Sequence, residues 1–288
     1  MNNDWGGLRV EDIHSADFFI IGIPYDAGAG TRRGQAAAPS YIRNMSYKLP
    51  SCTRKGIDLT NLRLFDLGDV EINQQEIFAT IKNIEKKLDE RCGLARTIMI
   101  GGDHSVTYPS FKKASGQRST GLVWFDAHPD VLDTYQNSKY SHGSPLRRII
   151  EDTHIDTDNI MLVGTRFYEL DEFNYIKSKQ IYEMPAYEIN DSIEYATKFS
   201  TRVNEIASRV DQLYVSIDID VIDSGLIVGT GAPVTGGITP HQLFTMINVI
   251  PPKAQYFDIM EYSPICDFND IGARFILVLL SEILSNFK

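Results

Sequence analysis

The sequence of 288 residues predicts an α/β fold: a largely parallel sheet with helices on both faces. Three observations lead there. Short apolar, β-rich runs alternate with helical patterns along the chain. Several of these runs are apolar at consecutive positions, as strands covered on both faces require. No internal repeat, low-complexity tract or flexible linker divides the chain, so one domain over 1–288 is expected.

In chain order, strands are predicted over Phe18–Ile23, Leu62–Leu67, Thr97–Ile100, Gly121–Phe125, Ile160–Val163, Gln180–Tyr182, Leu213–Ile219 and Gln255–Met260. The clearest helix is Gln74–Arg91, where Asn73 can cap, Glu76 stands three residues later and Gly93 follows the end. Further helices fit Pro39–Met45, Pro145–Glu151, Glu194–Val210, Pro240–Val249 and Arg274–Phe287. The glycine-rich stretch Gly225–Gly237 directly follows a strand and reads as an active-site loop.

Composition narrows the function. Subtracting 38 acidic from 28 basic residues gives a net charge of −10, which argues against nucleic acid or an anionic membrane as the main partner. A small cationic substrate suits that charge, and so does plain solubility. Cys52, Cys92 and Cys266 are odd in number and form no Cys-x-x-Cys pair, so reduced thiols in a cytoplasmic protein are expected. The opening Met-Asn-Asn-Asp-Trp-Gly-Gly has no basic region before an apolar run, so a signal peptide is not expected. The most apolar stretch, Phe275–Leu284, is too short to span a bilayer.

The chemistry sits after three predicted strands, as Gly101-Gly-Asp-His-Ser105, Asp126-Ala-His-Pro-Asp130 and Ser216-Ile-Asp-Ile-Asp220. Open parallel sheets bind ligands beyond the carboxyl ends of their strands, so the three segments point to one crevice. Residues two apart on an extended segment share a side, which lets Asp126, His128 and Asp130 converge, and likewise Asp218 and Asp220. Imidazole with carboxylate and no thiolate suits Mn²⁺, Fe²⁺, Co²⁺ or Zn²⁺. Four clustered aspartates would repel each other without counter-charge; two divalent cations roughly 3.5 Å apart balance them and acidify a shared water to hydroxide. A dinuclear metal hydrolase is the expectation.

Those same segments resemble the signatures of the ureohydrolases, the family of arginase, agmatinase, formiminoglutamase and the guanidino-acid hydrolases. Gly22-Ile-Pro-Tyr-Asp26, Arg33-Gly34, Pro39 to Arg43 and Glu261-Tyr-Ser-Pro264 extend the likeness over nearly the whole chain. The resemblance implies a three-layer α/β/α arginase-type fold with an eight-stranded, mainly parallel sheet, two Mn²⁺ ions, and a homo-oligomer, trimer or hexamer. It also implies that His104, Asp126, Asp130 and Asp218 bind one metal and that Asp126, His128, Asp218 and Asp220 bind the other. Asp130 would orient the bridging hydroxide. His142 would be the general acid, a role histidine suits near neutral pH, and Glu261 would pair with the substrate guanidinium. Asp103 and Asp223 are read as structural, and His14, His154 and His241 as surface residues.

Substrate identity rests on the loops. Lys139-Tyr-Ser-His-Gly-Ser-Pro-Leu-Arg-Arg148 is similar to the agmatinase version of its segment, and Leu132 stands where arginases carry an asparagine for the amino-acid end of arginine. Agmatine, cleaved to putrescine and urea, is therefore the expected substrate, with arginine, guanidinobutyrate or a related guanidino compound as alternatives. Ala38, Thr165, Ser224 and Val228 depart from the family pattern without removing a metal ligand. A non-catalytic binding protein would have no physical reason to keep clustered carboxylates. A nucleotide site is disfavoured because no Gly-x-x-x-x-Gly-Lys-Ser/Thr is present.

Overall fold

The computed structural model describes residues 4–30, 32–116 and 118–288. Its strands are β1 (Phe18–Gly22), β2 (Leu64–Asp69), β3 (Arg96–Ile100), β4 (Thr120–Phe125), β5 (Ile160–Val163), β6 (Tyr182–Met184), β7 (Gln212–Asp218) and β8 (Ala254–Met260). They form one sheet in the order β2-β1-β3-β8-β7-β4-β5-β6. Each of its ladders is parallel, which sharpens the expected mainly parallel sheet.

Consecutive apolar residues serve two cores because side chains alternate across a strand. On one face Val123, Phe125, Ile98 and Ile100 pack with α1 (Ala38–Met45), α7 (Tyr195–Arg209), α8 (Pro240–Ile247) and α9 (Ile271–Ser285). On the other, Leu122, Trp124, Met99 and Leu162 pack with α2 (Ile77–Asp89), α3 (Thr107–Ser115), α4 (Pro145–Thr153) and α5 (Leu170–Lys179). The short α6 (Ala186–Asp191) completes an α/β/α sandwich.

The differences from the sequence expectations are local. Strand β6 lies two residues later than expected, because Gln180 closes α5 in the left-handed conformation and returns its N–H to Ile176 and Lys177 carbonyls. Helix α2 starts at Ile77: the Asn73 carboxamide oxygen accepts from the Gln75 and Glu76 N–H groups and completes a turn before the helix. Helices α3, α5 and α6 had no clear apolar period. In α3, Pro109 sits in the first turn, where its missing N–H costs nothing.

What matters for function is the strand order. The segments singled out in the sequence follow β3, β4, β7 and β8, and these four strands are adjacent in the middle of the sheet. Because they are parallel, their carboxyl ends share one edge.

Phe199 of α7 is fully buried against Phe125, with ring centroids 5.6 Å apart. Phe199→Ala is expected to lower unfolding free energy by about 3–5 kcal/mol, measured by urea denaturation. Phe78→Ala, on the exposed face of α2, is expected to cost far less.

Candidate metal centre and active site

Strand β3 ends in Gly101-Gly102, and the chain turns so tightly that a Cβ on Gly102 would lie 1.6 Å from the Tyr25 carbonyl oxygen. This turn delivers His104, buried with its ring stacked on Trp124 at 4.1 Å. Its Nε2 lies 2.9 Å from Ser216 Oγ, whose hydroxyl donates at 2.6 Å to Asp258 Oδ1. Because that hydroxyl hydrogen is committed to Asp258, Oγ must accept from Nε2–H, which leaves Nδ1 as the ring's lone-pair nitrogen. The Tyr214 and Thr107 hydroxyls donate to the other Asp258 oxygen.

His104 Nδ1 is buried and makes no hydrogen bond. It faces oxygens of Asp126 at 3.0 Å and of Asp130 and Asp218 at 3.3 Å each. His128 Nδ1 lies 3.1 Å from Asp220 Oδ2 and 3.5 Å from Asp126 Oδ1. Asp126 thus turns one oxygen towards each imidazole. Among the described residues, two groups have the spacing to hold a metal ion: His104 with Asp126 and Asp130, and Asp126 with His128 and Asp220.

Backbone donors aim these carboxylates. Asp126 Oδ1 accepts from His128 N and its Oδ2 from Trp124 Nε1. Asp218 Oδ1 accepts from Asp220 N, and Asp220 Oδ1 from Ala127 N. Asp130 has a φ of 53° and Glu261 a φ of 65°; left-handed backbone of this kind is stored strain that clusters at functional sites.

The charges conflict as they stand. Burial and the Asp126 charge push Asp130 up to about 6, and burial with Asp220 and Asp126 holds Asp218 well above the carboxylate range. Burial disfavours a charged His128, but Asp220 and Asp126 outweigh it and raise the ring to about 12. Carboxylates this close need positive charge among them, supplied by protons or by a cation. A lone-pair nitrogen without a partner, facing three carboxylates, therefore fits a divalent metal in both geometry and charge.

A cavity of about 500 Å³ opens on this cluster and is lined by His128, Asp130, His142, Asp218, Asp220 and Glu261 among others. His142 Nδ1 stands 3.6 Å from Glu261 Oε1. Burial works against a charged His142, but the Glu261 carboxylate, Asp130 and Asp103 outweigh it and raise the pKa to about 9. The eight site residues read from the sequence are thus brought together around one crevice. Asp103 turns elsewhere, accepting from Gly28 N, Ser105 N and the Ser105 hydroxyl. Asp223 accepts from Gly225, Gly236 and Gly237 N–H groups and ties both ends of the 225–237 loop, part of which walls the cavity. Cys266, His14, His154 and His241 do not line it.

Three contributors escaped the sequence reading. Trp124 and Asp258 lie within strands and read there only as strand residues. Arg166 donates to the carbonyls of Asp220 (2.6 Å) and Val234 (2.8 Å) and to those of Thr235, Gly164, Val221 and Ile222. It clamps a candidate ligand turn to the pocket loop; its place just after β5, at the same sheet edge as the other segments, was the available signal.

Such a cluster, at the carboxyl edge of a parallel α/β sheet, has the donor set and spacing of a metal-binding catalytic centre. Comparison with known proteins makes that specific. Residues 16–285 match the model of the Arginase family. The agmatinase of Pyrococcus horikoshii is 30% identical over 264 residues, 89% of this chain and 87% of that protein. The guanidinobutyrase of Pseudomonas aeruginosa is 30% identical over 247 residues, 82% of this chain and 75% of that protein. The structure of proclavaminate amidino hydrolase from Streptomyces clavuligerus superposes with a TM-score of 0.84 at 27% identity, covering 94% of this chain and 92% of that one. The chain belongs to the arginase family and is a hydrolase acting on amidino groups.

Ser216→Ala removes the acceptor that fixes the His104 tautomer. Metal affinity is expected to fall about 10- to 100-fold, as measured by competition with a chromophoric chelator.

Proposed function

We propose that this protein hydrolyses agmatine to putrescine and urea, as a cytoplasmic homo-oligomer, trimer or hexamer, with two Mn²⁺ per chain and Co²⁺, Fe²⁺ or Zn²⁺ as the alternative ions. The observation that carries hydrolysis of a guanidino group is the placing of Glu261 and His142 on the same cavity as the His/Asp cluster. In this reading His104, Asp126, Asp130 and Asp218 would hold one ion, and Asp126, His128, Asp218 and Asp220 would hold the other. Bound there, the cations supply a water acidified towards hydroxide at neutral pH. Glu261 receives the guanidinium, since each of its oxygens keeps a lone pair beyond its present hydrogen bond. Asp130 orients the attacking oxygen, and protonated His142 delivers its proton to the departing amine nitrogen. Overall, water adds across one C–N bond: urea keeps the oxygen and the amine leaves protonated.

Agmatine is favoured by the loop Lys139–Arg148, by apolar Leu132 on the cavity wall, and by the exposed Glu169 carboxylate at its rim. One observation supports a second reading, a guanidino acid such as guanidinobutyrate. Arg32 also lines the cavity, is exposed, and forms no ion pair among the described residues.

The deciding experiment is urea release from agmatine, arginine and guanidinobutyrate, with Mn²⁺ and after chelation. Urea from agmatine that disappears on chelation is expected. Urea from guanidinobutyrate alone would move the assignment to the second reading, and no urea from any metal-loaded sample would refute both. As the proton donor, His142 works when protonated, so on the alkaline side kcat/KM should fall as pH rises through about 9. His142→Asn should cost about 10²- to 10⁴-fold and abolish that limb. Asp126→Asn should release metal along with activity; a variant that keeps two ions per chain would contradict its bridging role.

A further inference from the structure

Glu261 leaves β8 from left-handed backbone, and its carboxylate is held from two sides. His104 N donates to Oε1 at 2.9 Å, and Gln35 Nε2 donates to Oε2 at 2.8 Å. We infer that Gln35 is a positioning residue: its side-chain amide fixes the plane of the Glu261 carboxylate for bidentate contact with the substrate. This rests on the assignment of Glu261 as the guanidinium-binding group.

Several observations converge on Gln35. It is fully buried and lies outside the cavity wall, so it acts through Glu261 rather than on substrate. Glutamine is seldom buried, and an unpaired buried acceptor is costly; yet among the described residues Gln35 Oε1 has no hydrogen-bond partner. Its Nε2 has two acceptors, Glu261 Oε2 and the Arg32 carbonyl at 2.9 Å. Stability alone gives little reason to keep a buried amide with an orphan oxygen. Its donor accounts for it.

The surroundings keep that donor in place. Asp26 Oδ2 accepts from Gly34 N at 3.0 Å and Ala36 N at 3.4 Å, pinning the turn that carries Gln35. Gly34 has a φ of 132°, and a Cβ there would lie 2.5 Å from Ser263 Oγ, so the turn sits directly against the segment after β8. A Cβ on Gly231 would lie 2.5 Å from Gln35 Nε2 and 3.2 Å from Glu261 Oε2. The rim loop therefore needs glycine where it passes the amide.

One donor alone leaves a carboxylate free to turn about its last torsion, whereas two donors on different oxygens fix its plane. A guanidinium needs both oxygens in one plane to be held bidentately, so a carboxylate free to turn binds it less tightly. Because Glu261 holds the substrate before and during reaction, loosening it should act mostly on KM.

The test uses Gln35→Met, which fills similar volume without a donor, and Gln35→Asn, whose amide is one methylene short of Glu261. Both are assayed as metal-loaded full chains for urea release from agmatine and guanidinobutyrate, with Tm and metal content measured alongside, and Gln35→Met is crystallised beside the parent. The expected result is a KM raised at least tenfold with a smaller change in kcat, metal content retained, and the Glu261 carboxylate rotated in the crystal. An unchanged KM with an unmoved carboxylate would overturn the inference, and so would a lowered Tm with an unchanged KM, the signature of a merely structural residue. If one variant fails to fold, the other decides. If the parent releases no urea, the guanidino-hydrolase reading fails by itself, and the crystal comparison still decides whether Gln35 orients Glu261.

Discussion

Like-charge crowding is the constraint on which the rest depends. Asp126, Asp130, Asp218 and Asp220 lie almost wholly out of solvent around His104 and His128. Buried carboxylates at such spacing cannot all ionise unless a cation joins them. The upward pKa shifts, with Asp130 and Asp218 raised and His128 raised to about 12, express that conflict in protons. A site that must otherwise store protons is poised to exchange them for divalent metal, so metal affinity and pH are linked.

The fold meets the cost of this arrangement through backbone donors and rigid neighbours. Parallel strands put their carboxyl ends on one edge, and the order β3-β8-β7-β4 places the four site-bearing strands side by side. Main-chain N–H groups hold one oxygen of Asp126, Asp218 and Asp220, and the second oxygen of Asp218 and of Asp220 faces an imidazole. Trp124 stacks on His104 and donates to Asp126, so one buried indole steadies two groups of the cluster. Arg166 and Asp223 perform the same service for the loops, by caging carbonyls and N–H groups respectively.

Much of this was legible in the sequence, for physical reasons. Strands buried on both faces read as unbroken apolar runs such as Gly121–Phe125, and chemistry-bearing residues directly after such runs mark the carboxyl edge. Asp126, His128 and Asp130 were found from their spacing after a strand, but the structure brings them together differently: the chain bends at 127–128, His128 N donates to Asp126 Oδ1, and Asp130 is left-handed rather than extended. The sequence could not show which strands are neighbours, since that is decided by long-range pairing. Nor could it expose Ser216–Asp258 as the support behind His104, because both residues sit inside strand patterns. Gln35 is less visible still. Its function lies in a contact with Glu261, 226 positions away, and its local sequence is an alanine-rich turn. Helix α5 was missed because Leu170 and Phe173 face solvent and blur its apolar period.

Titration of Mn²⁺ into the chelator-stripped full chain, by calorimetry in buffers of different ionisation enthalpy, tests the central claim most directly. Two ions bound per chain, with net release of protons at neutral pH, is the result the charge argument predicts. Saturation at one ion or none, or uptake of two ions without proton release, would contradict it.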